Sequence, residues 1–404
     1  MFDVPVLSID VSKSKSVAAV FKRYQVLDSK PFSFSHSPND LSLLVDRLSK
    51  LELEMGQRPH VVMEATGNYS KPIAAFFQDA GFKVVVLNPL QTHAEKKKSV
   101  RKVKTDPIDA NRIAQVYYLN QFTEAKPHMD YISELQNLCR QYDGFNTLYI
   151  ETQLRFRSVL DLLFPKFESV FAHLCSPTAL RVLSSFPSPN AILSASRDQI
   201  INCLKPAKMA KSWYELKTDA LISAAKESLP FNRAQQSNLR VLRMYMDLLR
   251  SQQSILTDIR AQMVYWANFS LDYPLLCSIP GVGEATATTI LAEIGDIKRF
   301  PSSKQLVAFA GIDPSVFESG KFKSSHNKIS KRGSPYLRKA IYQATVAGIS
   351  NRASGPLNMI LRSFYLRKIN EGKPSKVAII ATSNKLLRII FGILASQQPF
   401  SDPK

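Results

Sequence analysis

Four carboxylates in the first 110 residues carry the spacing that metal-assisted chemistry needs in this 404-residue chain. Asp10 closes the apolar run VPVLSIDVS (4–12), and Glu64 closes the acid-ended run within HVVMEATG (60–67). Open α/β sheets do their chemistry where strand ends meet. Asp106 and Asp109, in KTDPIDANRIAQV, stand three apart at a predicted helix start, so both side chains can face one way. Pro107 suits the first turn of that helix. The set offers oxygen ligands for Mg²⁺. Two such ions would stabilise the attacking and leaving oxygens of an in-line displacement at phosphorus. Taken singly, each acid is a turn former or a helix cap. Only the set points to metal.

The other chemical stretch is GIDPSVFESGKFKSSHNKISKRGSPYLRKA (311–340), with six serines, seven lysines or arginines, and Glu318 as its one acid after Asp313. Any of Ser315, Ser319, Ser324, Ser325, Ser330 and Ser334 could supply a nucleophilic hydroxyl. Lys321, Lys323, Lys328, Lys331, Arg332 and Arg338 would hold phosphates around it. A second cationic run, KKKSVRKVK (96–104), leads straight into the acid pair. Its Lys96, Lys97, Lys98, Arg101, Lys102 and Lys104 read as a loop that grips a nucleic-acid strand. The segment CSIPGVGEATATTILAEIGDIKRF (277–300) has a Pro-Gly-x-Gly turn before a small-residue helix. That is how a helix-hairpin-helix presents backbone amides to a DNA phosphate, through Gly281 and Gly283. No GxxxxGK[ST] loop gives ATP a seat.

Around these groups the chain reads as α/β followed by mainly α. Runs 4–12, 16–22 and 24–35 are strands of a hairpin meander, and SPNDLSLLVDRLSKLELEMG is a helix with an N-cap serine and a closing glycine. Strands at 60–67 and 81–89 flank a helix near 69–80, an order that matches ribonuclease H topology. Heptads run from Leu135 to Leu163 and from Leu242 to Trp266, which predicts long helices packed as a coiled coil or as a bundle. Between them, 166–236 is a set of short helices broken by prolines. A net charge of +20 favours a polyanionic partner. Four scattered cysteines and a start without signal-peptide grammar predict a reduced, cytoplasmic setting. Neither a membrane partner nor a bilayer-spanning run is expected.

With these motifs in this order the chain resembles the DEDD transposases of the insertion-sequence 110 family, which are site-specific recombinases. The resemblance rests on SIDVSK, VVMEATGNYS, VVVLNP and KTDPIDANRIA at the front. At the back it rests on IPGVGEATATTILAEIGDIKRF, LVAFAGIDP, ESG and ISKRGSPYLRKAIYQA. It implies a RuvC-like domain over 1–130, a helical coiled-coil region over 131–270, and a mainly helical transposase domain over 271–404. It makes Asp10, Glu64, Asp106 and Asp109 an acidic tetrad for Mg²⁺ and selects Ser319, in ESG, as the nucleophile. It further implies donor and target DNA, a non-coding bridge RNA, and a homo-oligomer, dimer or tetramer. The competing expectation is a RuvC-like junction nuclease that uses water and needs no serine.

Overall fold

A computed structural model of the chain describes residues 4–87, 89, 106–119, 130–231, 233–314, 318–319, 322–323, 328–353 and 355–401; for Asp106, Glu318, Ser319, Phe322 and Lys323 it describes the backbone only. The cationic run Lys96, Lys97, Lys98, Arg101, Lys102 and Lys104 lies outside the described residues, as do Ser315, Gly320, Lys321, Ser324 and Ser325. The chain divides into two compact units, Met1–Pro127 and His128–Lys404.

The first unit is built on one mixed sheet. Its strands are β1 (Val6–Asp10), β2 (Lys15–Arg23), β3 (Val26–Leu27), β4 (Phe32–Ser35), β5 (His60–Glu64) and β6 (Lys83–Leu87), in the order β3-β2-β1-β5-β6 with β4 also on β2. β1 pairs antiparallel with β2 and parallel with β5, which pairs parallel with β6. The central strand is buried on both faces, so its sequence is an apolar run and not an alternation. Helix α1 (Pro38–Met55) starts where the Ser37 hydroxyl accepts from the Asp40 amide and stops at Gly56, at φ 66°. Its Leu41, Leu44, Leu48 and Leu51 pack with Leu7, Ile9, Met63 and Phe77 of helix α2 (Ser70–Asp79) on one face of the sheet. Val6, Val62, Val85 and Leu87 pack on the other face against Ala110, Ile113 and Ala114 of helix α3 (Asp106–Leu119).

The second unit hangs on two long helices, α4 (Asp130–Leu163) and α9 (Gln235–Ala267), which run antiparallel within the chain. One end of this hairpin joins Ile132, Leu135 and Cys139 to Met263 and Ala267 in a proximal core. The other end joins Phe156, Leu160 and Leu163 to Leu242, Met246 and Leu249 in a distal core. The midsection is partly open to solvent: Phe145, Leu148, Leu154 and Ile255 are exposed. The buried set differs from the expected heptad, with Met246 and Ala267 inside in place of Tyr245 and Trp266. A straight helix drifts off a seven-residue repeat by about 20° per heptad, and each end packs against its own globular core.

The proline-broken segment forms α5 (Pro177–Ser185), α6 (Pro189–Leu193), α7 (Arg197–Leu204) and α8 (Lys211–Glu227), which close the distal core. Pro177 and Pro189 are first-turn residues behind the capping serines Ser176 and Ser188. The proximal core gathers α10 (Asp272–Cys277), α11 (Glu284–Ile294), α12 (Ser303–Ala310), α13 (Pro335–Gly348), α14 (Met359–Asn370) and α15 (Ser375–Ser396). By length and composition α15 could cross a bilayer. It buries Ala378, Leu386, Leu387, Ile390 and Leu394 within the unit and carries Lys376, Lys385 and Arg388, which makes it a core helix. Phe156 is fully buried in the distal core. Phe156→Ala should cost about 3–5 kcal/mol in that half of the unit, read as a lowered urea midpoint for loss of helical signal.

Candidate active site

Strand register places the first two acids. Ile9 faces Met63 across the parallel pair, so the next residues, Asp10 and Glu64, stand on neighbouring strands at the same sheet end. Neighbouring strands lie about 4.8 Å apart. Side chains alternate between faces, and Asp10 and Glu64 share the parity of Val6 and Val62, the residues that pack on α3. Both therefore lie on the α3 side of the sheet.

Helix α3 then brings the second pair to the same edge. At its C-terminal end the Tyr118 hydroxyl donates to the Val4 carbonyl (2.8 Å), and the Tyr117 hydroxyl lies 2.6 Å from His60 Nδ1. Val4 precedes β1 and His60 opens β5, so this end of the helix is fixed over the strand starts. The helix is 14 residues long, about 21 Å at 1.5 Å per residue, against roughly 17 Å for a five-residue strand. Its first turn, with Asp106 and Asp109, consequently reaches the strand ends. Asp109 is buried, and Arg112 Nη1 lies 3.2 Å from its Oδ1 one turn on, which balances the charge. Among the described residues no three such ligands converge on one ion position; the Asp106 side chain lies outside that set. A cavity of about 360 Å³ lined by Arg58, His60, Gln78 and Lys83 opens at the opposite, strand-start end of the sheet, away from the acids.

In the second unit the serine-rich stretch is closed at its base. Pro314 and Ile329 form a bridge, Ser330 N donates to Asp313 O (2.8 Å), and Lys331 N donates to Gly311 O (3.0 Å). Ser334 N donates to Phe309 O (2.8 Å). The contact is close: a Cβ on Gly333, at φ 143°, would lie 2.1 Å from that same carbonyl oxygen. Beyond the clasp, β7 (Glu318–Ser319) pairs with β8 (Phe322–Lys323), placing Ser319 opposite Phe322. Two rival serines are already engaged. The Ser330 hydroxyl donates to Asp313 Oδ1 (2.5 Å), and the Ser334 hydroxyl caps α13 while donating to Glu293 Oε2 (2.7 Å). Of the cations, Lys328, Lys331 and Arg332 are exposed, whereas Arg338 is half-buried and donates to the Ala310 carbonyl (3.0 Å).

The Pro-Gly-x-Gly turn joins α10 to α11, and its two glycines have separate reasons. Gly281, at φ 101°, backs onto α13 so closely that a Cβ would lie 2.7 Å from Gly348 Cα. Gly283 is exposed and caps α11. Val282 N donates to Ile279 O (2.9 Å) and closes the turn.

Sequence reasoning missed the polar cluster beneath these features. Glu293, almost fully buried on α11, accepts from Arg140 Nε (3.0 Å) and Nη2 (3.3 Å) of α4 as well as from Ser334. Arg140 also stacks on Tyr336, and Gln136 donates to the Ala292 carbonyl. The signal was present: Glu293 is one charge in an otherwise apolar helix end, and a buried charge needs partners. The cysteines are all free; burial pushes the Cys139 thiol up to about 12 and raises Cys175 and Cys277, which removes them as nucleophiles at neutral pH.

Comparison with known proteins finds matches in two stretches of the chain. Residues 7–165 match a family model of DEDD transposases of IS110 type, described as "Transposase", and residues 273–358 match "Transposase IS116/IS110/IS902 family". The chain belongs to the IS110 family of transposases. It is 30% identical over 204 residues to a pilin gene-inverting protein of Moraxella lacunata, covering 48% of this chain and 62% of that one. It is 31% identical over 200 residues to the transposase for insertion sequence element IS1111A of Coxiella burnetii, covering 49% and 51%. A 43.6 kDa protein of insertion element IS110 from Streptomyces coelicolor is 24% identical over 327 residues, covering 78% and 77%. The chain thus spans only about half to three-fifths of the first two relatives' length. The family resemblance read from the motifs is confirmed.

Family membership does not explain the Glu293 cluster, but its energetics do. Arg140→Ala would leave the buried carboxylate with Ser334 as its remaining partner among those described above. Unfolding should then be easier by about 3 kcal/mol, whereas Arg140→Lys should recover part of the loss; equilibrium denaturation of the two variants checks this.

Proposed function

We propose that this protein is a DNA transposase that cuts and rejoins the DNA of an insertion sequence, with Ser319 as nucleophile and Asp10, Glu64, Asp106 and Asp109 as its acidic group. What supports the reading is strand register, which sets Asp10 and Glu64 on neighbouring strands, and the direction of α3, which turns its first turn toward the same strand ends. The sheet order, with an antiparallel meander beside two parallel strands, supports a RuvC-like or ribonuclease H-like assignment. The donor set is all carboxylate, which suits Mg²⁺. Asp10, Glu64, Asp106 and Asp109 would hold it, and when bound it would offset negative charge at a reacting phosphate.

The chain's own residues supply the rest. Ser319 Oγ would form a bond to phosphorus as the bond to a sugar oxygen breaks. The hydroxyl proton leaves to a base and the departing sugar oxygen takes up a proton. The phosphoserine ester keeps the bond energy, so reversal onto a new strand end needs no ATP. Lys328, Lys331 and Arg332, exposed at the loop base, would hold flanking phosphates, with Lys321 and Lys323 on the loop itself. The engagement of Ser330 and Ser334 in structural hydrogen bonds favours a hydroxyl further out on the loop. The two-residue ladder supports Ser319 in that place. The basic balance of the chain is compatible with a bridge RNA beside donor and target DNA, and strand exchange calls for a dimer or tetramer.

Purified protein, with any RNA that accompanies it, incubated with element-end DNA and Mg²⁺ should yield a DNA-linked polypeptide that Ser319→Ala abolishes. Free 5′-phosphate ends without a protein adduct would instead identify a water-using junction nuclease. Asp10→Ala should lower strand cleavage by at least about a hundredfold. Mixing Asp10→Ala with Ser319→Ala protein should restore activity where acids and serine come from different subunits; a mixture as inactive as its components rules shared sites out.

A further inference from the structure

The last 86 residues, 319–404, hold sixteen lysines and arginines against two acids, Glu371 and Asp402, so +14 of the net +20 resides there. The cations near the serine loop account for part of it. One of the others occupies a distinctive place. After α13 the chain rises through Ile349 and Ser350 into β9 (Asn351–Arg352) and returns through β10 (Gly355–Pro356). Gly355 pairs with Arg352 and Pro356 with Asn351. Leu357 N donates to Ser350 O (3.1 Å) and Asn358 N to Gly348 O (3.0 Å), so the ladder continues down to the helix ends.

A hairpin this short has no stability of its own; it is held at its base. Arg362 Nη1 donates to Ile349 O (3.0 Å). Asn358, 2% exposed, accepts from Leu361 N (3.0 Å) as the cap of α14 and donates through Nδ2 to Pro280 O (3.0 Å). Pro280 belongs to the Pro-Gly-x-Gly turn, and Gly281 of that turn is the residue that touches Gly348. The prong and the turn are therefore one rigid piece, joined by a buried asparagine and a glycine-to-glycine contact.

At the far end of the prong Asn351, Arg352 and Ala353 are exposed. Among the described residues Arg352 makes no ion pair. It stands four residues beyond Gly348, in the hairpin whose base is hydrogen-bonded to the Pro280 carbonyl. A protein partner would look for a large apolar anchor to bury, and Asn351, Arg352 and Ala353 offer none. An exposed guanidinium on a hairpin whose base is anchored to a glycine turn matches the planar, multi-donor recognition of phosphate.

We propose that the prong is a duplex-DNA contact, with Arg352 binding a backbone phosphate next to the one approached by the Pro280–Gly283 turn. The contact is independent of sequence, because phosphate carries no base identity. It rests on the reading of this chain as a DNA transposase and adds a binding residue to it.

The full-length protein would be titrated with a labelled duplex of arbitrary sequence across a range of salt. Arg352→Ala should reduce the slope of log K against log salt by about 0.9, the value of one neutralised phosphate on B-DNA. Binding should weaken several-fold to the same extent on unrelated sequences, with thermal unfolding unchanged because the side chain is exposed. Arg352→Lys should keep most of the slope. An unchanged slope in Arg352→Ala, beside salt-sensitive binding by the wild type, overturns the prong contact alone. Weakened binding to single-stranded RNA with duplex binding intact also overturns it. A wild-type protein that binds no duplex at all overturns both the contact and the transposase reading.

Discussion

The direction of one helix governs the whole first unit. Two tyrosines near the C-terminus of α3 reach the Val4 carbonyl and His60 at the strand starts, and this fixes the opposite end over the strand ends. Reverse that helix and Asp106 and Asp109 would sit about 20 Å from Asp10 and Glu64. The apolar stripe Ala110, Ile113, Ala114 and Tyr117 holds the helix flat on the sheet, but a stripe alone reads the same in both directions. The hydrogen bonds of the tyrosine pair remove that ambiguity. The strand end that the first turn of α3 faces thus depends on groups at the other end of the sheet.

The second unit solves a different problem. A segment rich in serine and cations has little apolar surface with which to order itself. It is closed from outside, by Asp313, Ser330 and the Phe309 carbonyl, and its C-terminal end runs into Ser334. Ser334 then does two jobs with one hydroxyl: it caps α13 and anchors to Glu293, which Arg140 pins to the long hairpin. Position at the base of the loop is thereby tied to the base of α4. The prong and the Pro-Gly-x-Gly turn share the same logic, with Asn358 in the place of Glu293.

Much of this was legible in the amino acids. The strand-ending acids, the Ser37 and Gly56 stops of α1 and the heptad periodicity of the long helices are all local signals, and each element formed where its signal stood. Motif order also carried the family. What was not legible is relational. Nothing in YYL at the end of α3 says which carbonyl a tyrosine will find. The buried seam of α9 shifts to Met246 and Ala267 because cores at either end select the positions they bury, and a heptad count sees neither core. Gly281 read as a phosphate-approach residue, while its Cβ position is closed by Gly348 and the outward-facing glycine is Gly283.

The α4–α9 hairpin has one further consequence. Its 34-residue arm is roughly 51 Å long at 1.5 Å per residue, and dense packing grips it only near its two extremities. Between them Phe145, Leu148 and Leu154 remain wetted, and Gln253 bridges to Tyr149 as one of few cross-links. A beam clamped at both ends and thinly laced at the waist flexes there first. The waist of this unit is thus braced mainly by the two helices against each other, while each end is braced by a core of its own.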